Sequence, residues 1–156
     1  MDLRRLRIGE WLMAVAGVAL FAILFVDWYA PAVSAWEAFT VIDLLLALLA
    51  VAGLATVPVV AGARTAAPGV AYEALVLLGG IIAVVICLVR LIDAPADGLG
   101  VEPGAWLGLG LVLALCAGCL VAMRDERRST SDRLTDATGI PVDTAPEPER
   151  LSAPPA

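Results

Sequence analysis

The chain has 156 residues, of which 61% are hydrophobic, with a formal net charge of −6 and a mean hydropathy of +0.92. A water-soluble domain of this length needs more polar surface than this composition supplies, so the sequence excludes an ordinary soluble fold. Histidine is absent, which removes the commonest neutral-pH acid–base group and the commonest metal ligand. We therefore expect no metal and no cofactor.

Four apolar segments reach the roughly 20 residues that are needed to cross a bilayer. They comprise residues 11–29, 40–62, 72–92 and 105–123. The sequence therefore predicts an all-α fold, a four-helix transmembrane bundle, preceded by a basic head over residues 1–10. Residues 124–156 contain few large apolar side chains, so we predict that they form a disordered cytoplasmic tail.

The arginines indicate how the chain is threaded. Arg90 lies inside an apolar segment, and the other nine lie in the head, between the second and third spans, or after the fourth span. The positive-inside rule then predicts a multi-pass protein of the cell membrane with both termini in the cytoplasm. The alternative for the first segment is a cleavable signal peptide that ends near Val33-Ser34-Ala35, and it gives the following chain the same orientation.

Aromatic and acidic residues flank the predicted outer loops. This cluster consists of Asp27, Trp28, Tyr29, Trp36, Glu37, Asp93 and Trp106. Tryptophan and tyrosine favour the headgroup level of a bilayer, so the pattern predicts an outer aromatic belt. The alternative is an aromatic patch that binds a ligand.

Two ionisable residues, Asp43 and Arg90, lie inside predicted spans. Each is about three residues from an outer end, so at 1.5 Å per residue the two share about the same depth. Lipid offers no partner to an isolated charge, and the positions predict an Asp43–Arg90 charge pair between the second and third spans. A polar site that binds an anion or relays protons stays open as the alternative.

Small residues lie on the same helix faces as these two charges. They are Ala47 and Ala50 on the second span and Gly79, Gly80 and Ala83 on the third. Small side chains let membrane helices approach closely, so they predict a tight seam between these spans. Gly104 and Gly108 form a GxxxG motif at the start of the fourth span, which is a further candidate helix contact.

A CxxC motif, Cys116 and Cys119, lies inside the fourth span. In a four-helix membrane protein it resembles the quinone-linked thiol oxidases of the vitamin K epoxide reductase type, and that resemblance implies a redox enzyme. Those families pass electrons through a second thiol pair in an outer loop, whereas Cys87, the remaining cysteine, lies in the third span. Neither CxxC thiol has a cationic neighbour in sequence to activate it, so we expect packing residues and no enzyme.

The segments Gly9-Glu10-Trp11, Asp27-Trp28-Tyr29 and Ser34–Phe39, together with Asp43, carry a family resemblance. They resemble uncharacterised small four-span integral membrane proteins of high-GC bacteria, which implies a membrane protein and brings no named activity. The sequence contains no P-loop and no nucleotide fingerprint, and we expect no nucleic-acid partner.

The sequence as a whole predicts a non-catalytic accessory or assembly partner. Its contacts would be the lipid bilayer and either another membrane protein or copies of itself. The first alternative is a small transporter or channel-type oligomer that uses Asp43 and Arg90. The second is a membrane thiol oxidoreductase that uses Cys116 and Cys119.

Overall fold

The computed structural model describes residues 6–39, 41–62, 67–96 and 98–130. The elements, in chain order, are α1 (Ile8–Ile23), β1 (Asp27–Ala30), β2 (Val33–Ser34), α2 (Ala35–Ala38), α3 (Ile42–Gly62), α4 (Ala67–Ile92), β3 (Gly100–Val101) and α5 (Pro103–Thr130). The fold is mostly helical, as the apolar runs predict.

Within the described residues, three helical segments are long and apolar enough to cross a membrane: Ile42–Gly62, Gly69–Ile92 and Pro103–Asp125. Helix α1 is shorter, with 16 residues, or about 24 Å against a hydrocarbon core of about 30 Å. The predicted first span over residues 11–29 is therefore displaced: the helix begins at Ile8, inside the predicted polar head, and ends at Ile23. Its C-terminal part was misassigned because Asp27–Ala30 is a strand.

The other helix boundaries also differ from the predicted ones. Helix α4 begins at Ala67, inside the predicted internal loop, because proline at position 68 is compatible with the first turn of a helix. Helix α5 continues to Thr130, so the first residues of the predicted disordered tail are helical. Residues 131–156, the remainder of that tail, lie outside the described residues.

A small antiparallel sheet was missed by the all-α prediction. Its strand order is β2-β1-β3. Tyr29 pairs with Val33 on one side and with Val101 on the other. The sheet thus joins the segment after α1 to the segment before α5, and we call this end of the helices the sheet end. The opposite end, where α1 begins, is called the terminal end.

The closest helix seams involve α1, which packs against both α3 and α5. A Cβ atom built on Gly17 would lie 2.6 Å from the Ala50 carbonyl oxygen of α3, and one on Gly9 would lie 2.5 Å from the Ala122 nitrogen of α5. Ala50 was predicted to contact the third span, which is α4, but it lies in the contact between α1 and α3.

The predicted tight seam between α3 and α4 is only partly present. A Cβ on Gly79 would meet Leu49 of α3 at 3.7 Å, which is ordinary contact, whereas one on Gly80 would lie 2.5 Å from Cys116 Sγ of α5. Ala83 is fully buried, and Ala47 is half-buried against the core. The small residues of α4 therefore divide between two neighbours, because positions 79 and 80 point about 100° apart around a helix.

Candidate functional site

The first candidate site lies at the sheet end, where β1 inserts two aromatic side chains among the helices. Trp28 is 1% exposed and Tyr29 is 0% exposed. The indole Nε1 of Trp28 donates to the Ile23 carbonyl oxygen at 2.9 Å, and the Tyr29 hydroxyl donates to the Arg90 carbonyl oxygen at 3.1 Å. Both polar tips are thus satisfied, which a buried indole or phenol requires. These two residues form a plug in the structure, whereas the sequence predicted a headgroup-level belt.

The GxxxG motif of α5 provides the seat for this plug. A Cβ on Gly108 would lie 2.5 Å from Cη2 of Trp28, and one on Gly104 would overlap the Asp27 carbonyl oxygen. The Glu102 N–H donates to the Trp28 carbonyl oxygen at 2.9 Å and fixes the strand beside the start of α5. Gly104 and Gly108 thus contact a strand backbone and an indole, whereas the sequence predicted a contact with another helix.

Phe39 connects the plug to Arg90. Its ring lies edge-on to both Trp28 and Tyr29, with ring centroids 6.0 Å apart in each case. The guanidinium carbon of Arg90 lies over the same ring, 5.8 Å from its centroid. An aromatic face attracts a cation, so Phe39 gives the Arg90 charge a partner within the protein.

Asp43, the predicted partner of Arg90, makes a different interaction. It is 6% exposed, and its Oδ1 accepts a hydrogen bond from the Leu44 N–H at 2.7 Å. Across the described ranges, no ion pair joins Asp43 to Arg90. The prediction placed Asp43 and Arg90 at the same depth but did not consider Phe39, whose ring lies against the Arg90 guanidinium.

The rest of the predicted aromatic–acidic cluster is distributed over the surface. Asp27 and Asp93 are exposed, and Trp106 on α5 is 61% exposed. Trp36 is half-buried beside Phe25, with ring centroids 5.8 Å apart. The cluster therefore divides into a buried plug and exposed groups at the same end of the molecule.

Glu37 has a local structural role at the start of α2. Its carboxylate accepts hydrogen bonds from the Ser34 N–H at 2.9 Å and from the Ser34 hydroxyl at 2.8 Å. These bonds favour the ionised form and lower the pKa of the Glu37 carboxyl. Burial has the opposite effect on Tyr29, whose pKa it raises, while the Arg90 charge partly opposes that shift.

Two buried carboxylates near the terminal end were missed from the sequence. Glu10 is 2% exposed, and its carboxylate accepts a hydrogen bond from the backbone N–H of Arg7 at the start of α1. Glu73 is 0% exposed on α4. A sequence signal for Glu73 existed, because it continues the spacing of Gly80, Ala83 and Cys87, all of which are buried. A sequence signal for Glu10 existed as well: a glutamate three residues after the first capping position of a helix commonly bonds the backbone N–H there, as Glu10 does at Arg7.

All three cysteines are free and buried. The Cys116 sulfur fills the space beside Gly80, as expected of a packing residue. Cys119 lies within electrostatic reach of Glu73. In the part of the chain that the structure describes, no group of three or more His, Cys, Asp or Glu residues is arranged to hold a metal ion.

Apolar grooves run along the described helices. One of about 800 Å³ lies between α1 and α3, and another of about 210 Å³ lies between α3 and α4. Neither groove is lined by Asp43, Arg90 or Cys116. Apart from Trp11 and Tyr72, their walls are aliphatic, and the Tyr72 hydroxyl is bonded to the Ala52 carbonyl oxygen. Such walls suit lipid and offer an ion no charged ligand.

Comparison of the chain with protein-family models, with curated proteins and with solved structures finds no match. The class is therefore defined by the structure itself: three membrane-length apolar helices are consistent with a membrane protein.

Proposed function

We propose that this chain is a small four-span integral protein of the cell membrane that acts as a non-catalytic accessory or assembly partner of another membrane protein. The observation that supports it best is the closed sheet end, where Trp28 and Tyr29 are buried and hydrogen-bonded among the helices. The two grooves face outward and are apolar. Neither provides the polar path from the outside to Asp43 that transport would require.

In the proposed threading, α1 crosses the membrane in addition to α3, α4 and α5, and both termini are cytoplasmic. Two features support it. Along the sequence, nine of the ten arginines lie before α1, between α3 and α4, or at and beyond the end of the membrane-length part of α5. The sheet also holds β1 and β3 together, which requires the loop after α1 and the loop before α5 to lie on one side.

The partner surface that we propose is at the sheet end, around Trp106 on α5. Exposed tryptophan is enriched in binding hot spots because it combines a large apolar area with a polar N–H. Asp27, Glu37 and Asp93 are also exposed at this end, and they favour a partner with basic residues in its outer loops.

Affinity purification from native membranes in mild detergent tests this proposal. We expect a membrane protein to co-purify in stoichiometric amount with the wild-type chain and to be lost from Trp106→Ala. Leu113→Ala is the matched control, because Leu113 lies two turns further along the same face of α5 and is also exposed. Recovery of the wild-type chain alone, after cross-linking in the native membrane, would refute the accessory role.

A small transporter or channel-type oligomer using Asp43 and Arg90 is the second candidate, and the buried carboxylates favour it. Ionisable groups inside a membrane protein often mark an ion or proton path, and Glu73 and Asp43 are both buried. Ion and proton flux into proteoliposomes separates the two proposals. Flux that is abolished by Asp43→Asn or Glu73→Gln, in protein that remains folded, would favour transport over the accessory role.

A further inference from the structure

The groove between α1 and α3 has a shape and lining suited to an acyl chain. Its walls are apolar, with Trp11, Ala14 and Val18 on α1 and Leu54, Ala55 and Pro58 on α3. The helices meet closely where Gly17 approaches the Ala50 carbonyl. Small side chains beside that crossing leave about 800 Å³ of apolar space on the surface of the helices.

A cation lies just before the helix that forms one wall of the groove. Trp11 is the first groove-lining residue of α1, and Arg7 precedes it by four residues, at the cap of the helix. The Trp11 N–H donates to the Arg7 carbonyl oxygen at 3.1 Å, so Arg7 is the capping residue of α1, and its own backbone is extended. Arg7 is half-buried and bonds Glu10 through its backbone N–H. Within the described ranges, no ion pair holds its guanidinium.

We propose that the α1–α3 groove binds one anionic phospholipid of the cytoplasmic leaflet. One acyl chain lies in the groove, the phosphate contacts the Arg7 guanidinium, and the Trp11 indole lies at the headgroup level between them. This inference rests on the proposed four-span threading, which places the terminal end at the cytoplasmic surface.

The basic end of the groove decides between a lipid and a second protein helix as its occupant. An apolar helix seated there would extend past Trp11 and enclose the Arg7 charge without a counter-ion. An anionic phospholipid supplies both the hydrocarbon chain and the negative group in one molecule. None of the residues that line either groove is charged. The α1–α3 groove is distinguished by Arg7, which lies four residues before its first lining residue, Trp11.

The test is quenching of Trp11 fluorescence by brominated lipid in phosphatidylcholine vesicles that contain the full-length chain. Brominated phosphatidylglycerol and brominated phosphatidylcholine are compared at the same low mole fraction, and the Trp11→Phe variant is measured in parallel to subtract the other tryptophans. One arginine near an anionic surface predicts about fivefold enrichment of phosphatidylglycerol at Trp11. Arg7→Gln should abolish this enrichment, and Ala55→Phe should lower Trp11 quenching by both lipids because the ring fills the groove.

Two matched controls make the result specific. Arg124→Gln removes an exposed arginine at the end of the α5 span, and Ala117→Phe adds a ring at an exposed position of α5 at similar depth; both should quench as the wild type does. Equal quenching by the two lipids, or equal effects of Arg7→Gln and Arg124→Gln, would overturn the site. Protection of Trp11 from both lipids that grows with protein density would mean that a second copy fills the groove, which also overturns it. Reporter fusions at the two termini are read separately, because termini on opposite sides would refute the threading itself.

Discussion

Trp28 is the residue on which the sheet end depends most. Its indole fills the space that two glycines of α5 leave open, and its Nε1 is bonded to the end of α1. One side chain therefore connects the first helix, the first strand and the last helix. Because the ring lies directly against Gly108, even one additional carbon atom at that position has no space.

We predict that Gly108→Ala destabilises the protein by about 1–3 kcal/mol, the usual effect of overpacking a core. The measurement is the thermal midpoint in detergent, with Trp28 emission as a second readout. Gly110→Ala is the control, since a Cβ there meets nothing within 4 Å, and it should leave the midpoint unchanged or slightly higher. Trp28→Phe combined with Gly108→Ala should recover part of the lost stability, because the smaller ring leaves room for the added methyl group. Equal changes of the thermal midpoint for Gly108→Ala and Gly110→Ala would contradict the close contact between Gly108 and Trp28.

Arg90 is predicted to be coupled to Phe39 and not to Asp43. In a double-mutant cycle of Arg90→Gln and Phe39→Leu, the coupling should be about 0.5–2 kcal/mol, the range for a cation over an aromatic face. The effects of Arg90→Gln and Asp43→Asn should add within about 0.5 kcal/mol, as for residues that share no contact. Unfolding in detergent measures both cycles, and strong coupling of Arg90 to Asp43 would restore the ion pair that the sequence predicted.

Tyr29 is predicted to make stability fall in alkaline solution. Burial raises its pKa in the folded state, above the unfolded value of about 10. The folded state therefore retains the proton while the unfolded state releases it, so the stabilisation is present below that pH and is lost as the pH rises through the folded pKa. Tyr29→Phe should unfold more easily at neutral pH, by about 1 kcal/mol for one hydrogen bond. That deficit relative to wild type should shrink above a pH of about 10, and a constant deficit would contradict the assignment.

At the scale of elements, α1 is short but central. Its length falls below that of an ordinary span, yet it has close backbone contacts with α3 through Gly17 and with α5 through Gly9. Helix α4, whose sequence is apolar without interruption from Ala74 to Val89, packs against α5 and less extensively against α3. How closely two helices approach therefore follows the position of their glycines more than the hydrophobicity of the helix.

Two glycine substitutions test this difference between seams. A Cβ at position 17 would lie 2.6 Å from the Ala50 carbonyl oxygen, a backbone atom that cannot move independently, whereas a Cβ at position 79 would meet a leucine methyl at 3.7 Å. Gly17→Ala should lower the thermal midpoint in detergent, at about 1–3 kcal/mol of destabilisation. Gly79→Ala should leave it unchanged. The opposite ranking would place the critical seam between α3 and α4, where the sequence predicted it.

Hydropathy was sufficient to locate the long helices, because runs such as Ile42–Gly62 and Gly69–Ile92 exceed the length of a soluble helix face. It could not reveal the sheet, since β3 has two residues and pairs with a strand about 70 positions earlier; so short a segment has no period-two pattern. Residue spacing showed that Gly104 and Gly108 contact something closely, but it could not identify an indole as the partner. The Asp43–Arg90 prediction used the depth of the two residues and the small residues on their helix faces, and neither reveals that an aromatic ring contacts the guanidinium.

At the scale of the whole molecule, the sheet restricts how the chain crosses the membrane. Because β1 pairs with β3, the end of α1 and the start of α5 lie on the same side. Crossing of α3, α4 and α5 is consistent with their length. The position of the first helix then depends on whether residues 1–7 lie on the side of the C-terminus or on the side of the sheet.

Four spans place both termini on one side, and three spans place them on opposite sides. The close packing of α1 along α3 and α5 and the arginines at positions 4, 5 and 7 lead us to predict four. Reporter fusions at Met1 and after Ala156 should therefore both report cytoplasm, and one at Gly98 should report the exterior. An exterior signal at Met1 with a cytoplasmic signal at Ala156 would establish three spans with α1 outside the hydrocarbon, and a cytoplasmic signal at Gly98 would reverse the whole orientation. Replacing Arg4, Arg5 and Arg7 with glutamine should shift only the Met1 signal, because α3, α4 and α5 keep Arg64 and Arg124 on their own flanks.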